Sequence, residues 1–77
     1  MTPIDFTLRG EHIALDALLK ATGLVASGGE AKQMIVGAQV QVDGRVEIRR
    51  SAKLRAGQVV TLAGQQVRLC PANDSSP

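Results

Sequence analysis

Aromatic side chains are almost missing from this sequence: Phe6 is the only one in 77 residues, with no Trp and no Tyr. A nucleic-acid surface built on stacked rings is therefore excluded, since bases need exposed aromatic faces and Phe6 is expected in the core. The single cysteine, Cys70, rules out an intramolecular disulfide and suits a reducing compartment, so a cytoplasmic location is expected. No apolar run approaches the roughly 20 residues that span a bilayer, and Met1–Gly10 lacks the charged start and apolar stretch of a signal peptide. Catalytic groups are equally scarce. A nucleophilic or acid–base site needs several groups converging in a pocket, yet there is one histidine, His12. Glu11 and Asp16 could be imagined with it as a ligand set, but adjacent residues such as Glu11 and His12 do not converge on one helical face. His12 reads as a helix-start residue and Cys70 as a small hydrophobe. A glycine loop with the spacing of a nucleotide site is also missing, and no enzyme activity, cofactor or metal is expected.

Leu, Ile, Val and Phe supply 21 residues and alanine ten, enough for one small aliphatic core. A single domain is expected over residues 1–70, with residues 71–77, which have no apolar anchor, as a disordered tail. The net charge of +2 is unevenly spread. Residues 1–31 carry two basic groups against four acidic, and residues 32–77 carry seven against three. Arg45, Arg49, Arg50, Lys53 and Arg55 fall within eleven residues, opposed only by Glu47. Such a segment attracts a polyanion; the plainer reading is a solvated loop.

Ile4–Arg9 alternates apolar and polar with the period of a half-buried strand, and Gly10 ends it. From Ile13, the positions Ile13, Leu15, Leu18 and Leu19 follow helical spacing, with Asp16 in the first turn pairing with Lys20 and Gly23 as a left-handed cap. Ser27-Gly28-Gly29-Glu30 is a capping box opening a second helix that buries Ala31, Met34, Ile35 and Ala38 and turns Lys32 outward. Gly28 and Gly29 leave helix-start amides uncovered, as a phosphate site would; against that, Glu30 occupies the same end and repels an anion. Val40–Ile48 is a hairpin. A three-residue loop, Val42-Asp43-Gly44, sets Val40 opposite Val46 and gathers Gln39, Gln41, Arg45 and Glu47 on one wet face. After the basic connection Arg49–Gln58, anchored by Leu54, a second hairpin turns at Gly64-Gln65. It pairs Leu62 with Val67 and Val60 with Leu69, so that four apolar residues share one face.

The run Leu15–Leu24, then Ser27, Ala31-Lys32, Ile35 and Gln39–Gly44, resembles the S-four RNA-binding domain, the αL-motif module first described in a small-subunit ribosomal protein. Ser51–Val60 is similar to that family's closing segment, so the resemblance covers about residues 13–62. It implies an α+β fold, two packed helices against a small, mainly antiparallel sheet, with RNA held across the second helix and the following hairpin. It further implies a free-standing, non-catalytic member. Where the family carries Arg after the capping serine, this sequence has Gly28; the glycine that ends the second helix is Ala38 here, with Gly37 one residue earlier, which suggests a shifted cap. A proline usual before Ser51 is Arg50, and an acidic residue usual after Gly57 is Gln58, so this segment is the more basic.

The expected RNA-binding residues are Lys32, Gln39, Gln41, Arg45, Arg49, Arg50 and Lys53, acting by phosphate neutralisation with some polar shape-reading. The expected partner is structured RNA, ribosomal or transfer RNA by the resemblance, met by a monomer without a membrane. The alternative is a protein-interaction module whose basic loop docks on an acidic partner or regulates an enzyme.

Overall fold

The computed structural model describes residues 3–71, so the tail expected over 71–77 lies, beyond Pro71, outside the described residues. The elements run β1 (Ile4–Thr7), β2 (Ile13–Ala14), α1 (Leu15–Ala21), α2 (Gly28–Val36), β3 (Val40–Val42), β4 (Arg45–Val46), β5 (Lys53–Leu54), β6 (Val59–Leu62) and β7 (Gln65–Cys70). Five strands form a mixed sheet in the order β1-β7-β6-β3-β4, and β2 pairs with β5 in a two-stranded ribbon. The β1–β7 pair is parallel and the other pairs are antiparallel.

The core joins both helices to one face of the sheet. Leu15, Leu18 and Leu19 of α1 and Ala31 and Ile35 of α2 are fully buried with Val40, Val60, Val67 and Leu69, and Leu54 anchors the basic connection as expected. Phe6 packs against this cluster from its margin. The period of the first helix misled at its start: Ile13 and Ala14 are extended and pair with Leu54 and Lys53. Two β-ribbon residues and a following helix read as one apolar series when their buried positions happen to line up.

Both helices end in the same motif. After α1, Gly23 N–H donates to Lys20 O and Leu24 N–H to Leu19 O, with Gly23 left-handed at φ 78°. After α2, Ala38 N–H donates to Ile35 O and Gln39 N–H to Met34 O, with Ala38 left-handed at φ 63°. These are Schellman closures, which need one left-handed residue just past the helix. The cap of α2 is therefore not shifted to Gly37, whose φ is −75°. Ala38 does the turning despite its Cβ and is exposed rather than buried. At the other end of α2, Glu30 N–H donates to Ser27 Oγ at 3.2 Å, while the Glu30 carboxylate takes the Ala26 amide at 2.6 Å, one residue before the cap. The expected Asp16–Lys20 pair is not among the ion pairs of the described residues; Asp16 Oδ1 accepts from Ala17 N–H instead.

Both hairpin registers differ from expectation, and for one reason. Each turn has two central residues with positive φ, Asp43 (53°) with Gly44 (83°) and Ala63 (52°) with Gly64 (81°). These are type I′ turns, whose twist matches that of the flanking strands. The first turn pairs Val42 with Arg45 and Gln41 with Val46, instead of Val40 with Val46. The second pairs Leu62 with Gln65 and Val60 with Val67, instead of Leu62 with Val67. The second slip is by two residues, so Val60, Leu62, Val67 and Leu69 still share the buried face.

Candidate nucleic-acid interface

The position of the basic segment follows from an unmet need of α1. The N-cap residue of this helix, Ala14, has no side-chain acceptor for the first amides. Backbone carbonyls of the basic connection serve instead: Leu15 N–H donates to Ala52 O at 3.0 Å and Asp16 N–H to Arg50 O at 3.1 Å. Burial of Leu54 and the β2–β5 pairing complete the tether. The backbone of 50–54 is thereby fixed while Arg49, Arg50 and Lys53 project into solvent. Arg49, Ser51, Ala52 and Lys53 line a shallow cleft of about 270 Å³.

Among the described residues only two ion pairs form, Arg49–Glu47 at 3.3 Å and Arg68–Asp5 at 3.0 Å. Arg45, Arg50, Lys53 and Arg55 are exposed cations without a carboxylate partner among the described residues. Arg49 itself is only partly committed. Glu47 Oε2 accepts from both its amide (3.0 Å) and its Nε (3.3 Å), while the arginine side chain stays 76% exposed. The Arg49 amide holds the Glu47 carboxyl below the usual glutamate range against the opposing effect of burial, and the Arg49 guanidinium adds to the lowering.

The hairpin does not gather its polar residues on one face. Cross-strand partners share a face, so Arg45 goes with Val42 and Gln41 with Val46. The face-sorting expectation treated the hairpin as isolated. In the fold, β3 already has its core face set by β6, through Val40 with Leu62 and Val42 with Val60. Strand β4 overhangs the sheet edge, where nothing demands that Val46 be buried, and the Asp-Gly turn chemistry decides. The turn is further held by Asp43. Its Oδ1 accepts the Val59 amide at 3.0 Å, its Oδ2 accepts from Gln58 Nε2 at 3.2 Å, and Gln58 Oε1 takes the Arg55 amide at 2.7 Å. Arg45 lines a cleft of about 490 Å³ with Val42, Asp43, Val46, Glu47 and Gln58. Gln41 belongs to a row across the opposite face, beside Thr61 and, one strand further, Gln66. Gln39 is exposed just beyond the α2 cap.

Lys32 is exposed on α2 in a shallow groove with Gly29, Gln33, Val36 and Gly37. The seven expected residues thus fall into separate surface groups: Arg49, Arg50 and Lys53 at the start of α1, Arg45 at the hairpin edge, Gln41 on the sheet face, and Lys32 and Gln39 at α2 and its end. Sequence reasoning left out Arg55, an exposed member of the same charge run, and Gln66, which strand alternation could have found. The Asp43–Gln58 bridge joins residues 15 apart and has no local signature. Around Gly28 no atom would approach an added Cβ within 4 Å. The described residues contain no group of three His, Cys, Asp or Glu side chains placed to hold a metal ion, and no helix long and apolar enough to cross a membrane.

Comparison with known proteins places these features in a family. The model of the S4 domain, the family of the resemblance above, matches residues 6–70. The provisionally named RNA-binding protein YbcJ of Escherichia coli K12 is 47% identical over 58 residues, covering 75% of this chain and 83% of YbcJ. The small ribosomal subunit protein uS4 of Clavibacter michiganensis is 37% identical over 59 residues, which span 69% of this chain and 28% of that protein. The solution structure of E. coli YbcJ, described as revealing an αL motif involved in RNA-binding, superposes with a TM-score of 0.71 at 41% identity, covering 91% of this chain and 90% of that one.

Proposed function

The chain belongs to the S4 domain family, and we propose that it binds structured RNA without catalysis, through Arg49, Arg50 and Lys53 at the start of α1, with Lys32, Gln39, Gln41 and Arg45 making further contacts from the other surface groups. The single observation that carries this reading is the tether of the basic segment. A flexible run of arginines attracts any polyanion, whereas here the backbone carbonyls of Arg50 and Ala52 are bonded to the first amides of α1. The cations are therefore presented from a fixed stretch of backbone, which lowers the ordering cost of binding a rigid phosphate array. Phosphate contacts provide affinity and register. Gln39 and Gln41 supply neutral donors and acceptors able to engage 2′-hydroxyl groups and base edges. The kinship with uS4, a protein of the small ribosomal subunit, favours ribosomal RNA as the target class; the reading also takes in transfer RNA, and a cytoplasmic monomer with a single domain over residues 1–70.

A binding titration over salt tests this reading. With four or five phosphate contacts, log affinity falls against log salt with a slope of about −3 to −4.5, at roughly −0.7 to −0.9 per contact. A flat salt response, or no RNA binding at low salt, overturns it. Capture of an acidic protein in place of RNA would transfer the basic segment to a protein partner.

A further inference from the structure

Two exposed aliphatic side chains within the basic stretch of the sequence have no role in phosphate neutralisation. Among the described residues, the large hydrophobics that remain exposed are Val36 (62%), Val46 (51%) and Ile48 (60%). Two of these fall within the six-residue stretch Arg45-Val46-Glu47-Ile48-Arg49-Arg50. The exposure of Val46 is a consequence of the type I′ register: it pairs with Gln41 on the solvent face of the sheet edge rather than entering the core. Glu47 N–H donates to Val40 O at 3.0 Å, so the chain stays against β3 for one residue beyond β4 before Ile48 follows. Among the described residues, the outer edge of β4 pairs with no further strand. A purely electrostatic interface has no use for β-branched aliphatics here; threonine would suit the strand as well and keep the edge wet.

We propose that Val46 and Ile48 form an apolar contact for the exposed base and ribose surface of unpaired nucleotides, so that this protein prefers RNA with an open loop or helix end over uninterrupted duplex. The inference rests on the RNA-binding reading above and deepens it. The occupant is set by the charge of the same stretch of chain. Arg49 and Arg50 follow the pair directly, Arg45 lies on the other face of the strand edge, and Glu47 is turned into the Arg49 amide and guanidinium with its side chain only 22% exposed. A polyanion is held against these residues by charge, and the part of a polyanionic nucleic acid that gains from aliphatic contact is the unstacked base and its sugar. A continuous A-form duplex keeps its base faces stacked inside and offers mainly phosphates, hydroxyls and shallow-groove edges. Without exposed aromatic rings to stack on, aliphatic side chains are the means this surface has for apolar contact with a base.

The test compares the parent with Val46→Thr/Ile48→Thr, binding a stem-loop RNA and a blunt duplex made from the same stem, across a salt series. Threonine keeps the β-branched shape and strand preference, so both proteins are expected to melt alike. The parent should prefer the stem-loop. The double variant should lose about tenfold on the stem-loop and little on the duplex, with unchanged salt slopes on both, because no phosphate contact is removed. Equal binding of the stem-loop by parent and variant overturns the apolar contact while leaving the RNA reading intact. Failure of the parent to bind either RNA overturns both. A parent that sediments as a dimer beside a monomeric variant assigns the patch to a second copy and also overturns the proposal. Should the double variant melt low, Ile48→Thr alone, which lies outside every strand, carries the same comparison.

Discussion

Ala38→Gly perturbs the closure of α2 at its one unfavourable residue. Ala38 sits at φ 63°, and the equivalent position after α1 is Gly23 at φ 78° in the same hydrogen-bonded motif. An L-residue in the left-handed region costs about 1–2 kcal/mol because Cβ crowds the following carbonyl, and glycine escapes that crowding. Glycine loses about 0.4–1 kcal/mol through the greater freedom of the unfolded chain. Ala38 is exposed, so no packed methyl is lost. The difference leaves about 0.5–1 kcal/mol of stabilisation, and with ~4–8 °C per kcal/mol for a domain of this size the melting temperature should rise by about 2–8 °C. Gly37→Ala is the opposing control. At φ −75° the backbone accepts alanine, yet the added Cβ would lie 2.9 Å from Gln33 O, the carbonyl that accepts the Gly37 amide. That contact is with backbone, and relieving it strains the last helical turn, for a loss of about 1–2 kcal/mol. Thermal unfolding by circular dichroism, with urea titrations to confirm an unchanged m-value, measures both. An Ala38→Gly protein melting at or below the parent, or a Gly37→Ala protein melting above it, refutes this description of the cap.

Asp43→Ala removes the carboxylate that accepts from Val59 N–H and Gln58 Nε2 and puts alanine in a left-handed turn position; unfolding should show a loss of about 1–2 kcal/mol, with Asp43→Asn much milder. Gly28→Arg enters open space at the start of α2 and should tighten RNA binding in an electrophoretic shift while raising the melting temperature slightly, since a helical glycine is replaced. Glu47 is held below the usual glutamate range by the Arg49 amide. Its contribution is therefore present above its unfolded-state value and is lost as pH falls through its folded-state value. Melting curves of Glu47→Gln should converge on the parent in acid and fall below it near neutrality; a constant gap from acid to neutral pH contradicts the assignment.

How much was legible in the sequence depended on whether a signal was local. The capping box at Ser27, the left-handed Gly23, the Leu54 anchor and the apolar face of the second hairpin depend on residues a few positions apart, and each has its expected place in the fold. The hairpin registers were misread because alternation was used to sort faces within a lone hairpin. The deciding facts were the pairing of β3 with β6 and the turn preference of Asp-Gly and Ala-Gly, one of them nonlocal and the other masked by an alanine where glycine is usual. The same masking hid the α2 cap, since Gly37 invited the left-handed role that Ala38 takes. For the site, the charge run was visible residue by residue, but its tether was not. The bonds from the Arg50 and Ala52 carbonyls to α1 connect backbone groups more than 30 residues apart and depend on no side chain. Gln41 and Arg45 fell on different faces for the reason that moved the register.

Charge reversal at Arg49 and Arg50 tests the RNA surface most directly. Both side chains are exposed, the backbone carbonyl of Arg50 that holds α1 is untouched by the substitution, and the Arg49–Glu47 pair lies at the surface. Arg49→Glu/Arg50→Glu should therefore cost at most about 1 kcal/mol in unfolding. Binding should respond quite differently: loss of two phosphate contacts flattens the log–log salt slope by about 1.4–1.8 and lowers affinity most at low salt. A variant that melts like the parent and binds RNA with the reduced slope is the predicted result. One that melts like the parent and binds with the parent's affinity and slope places the RNA elsewhere on the protein.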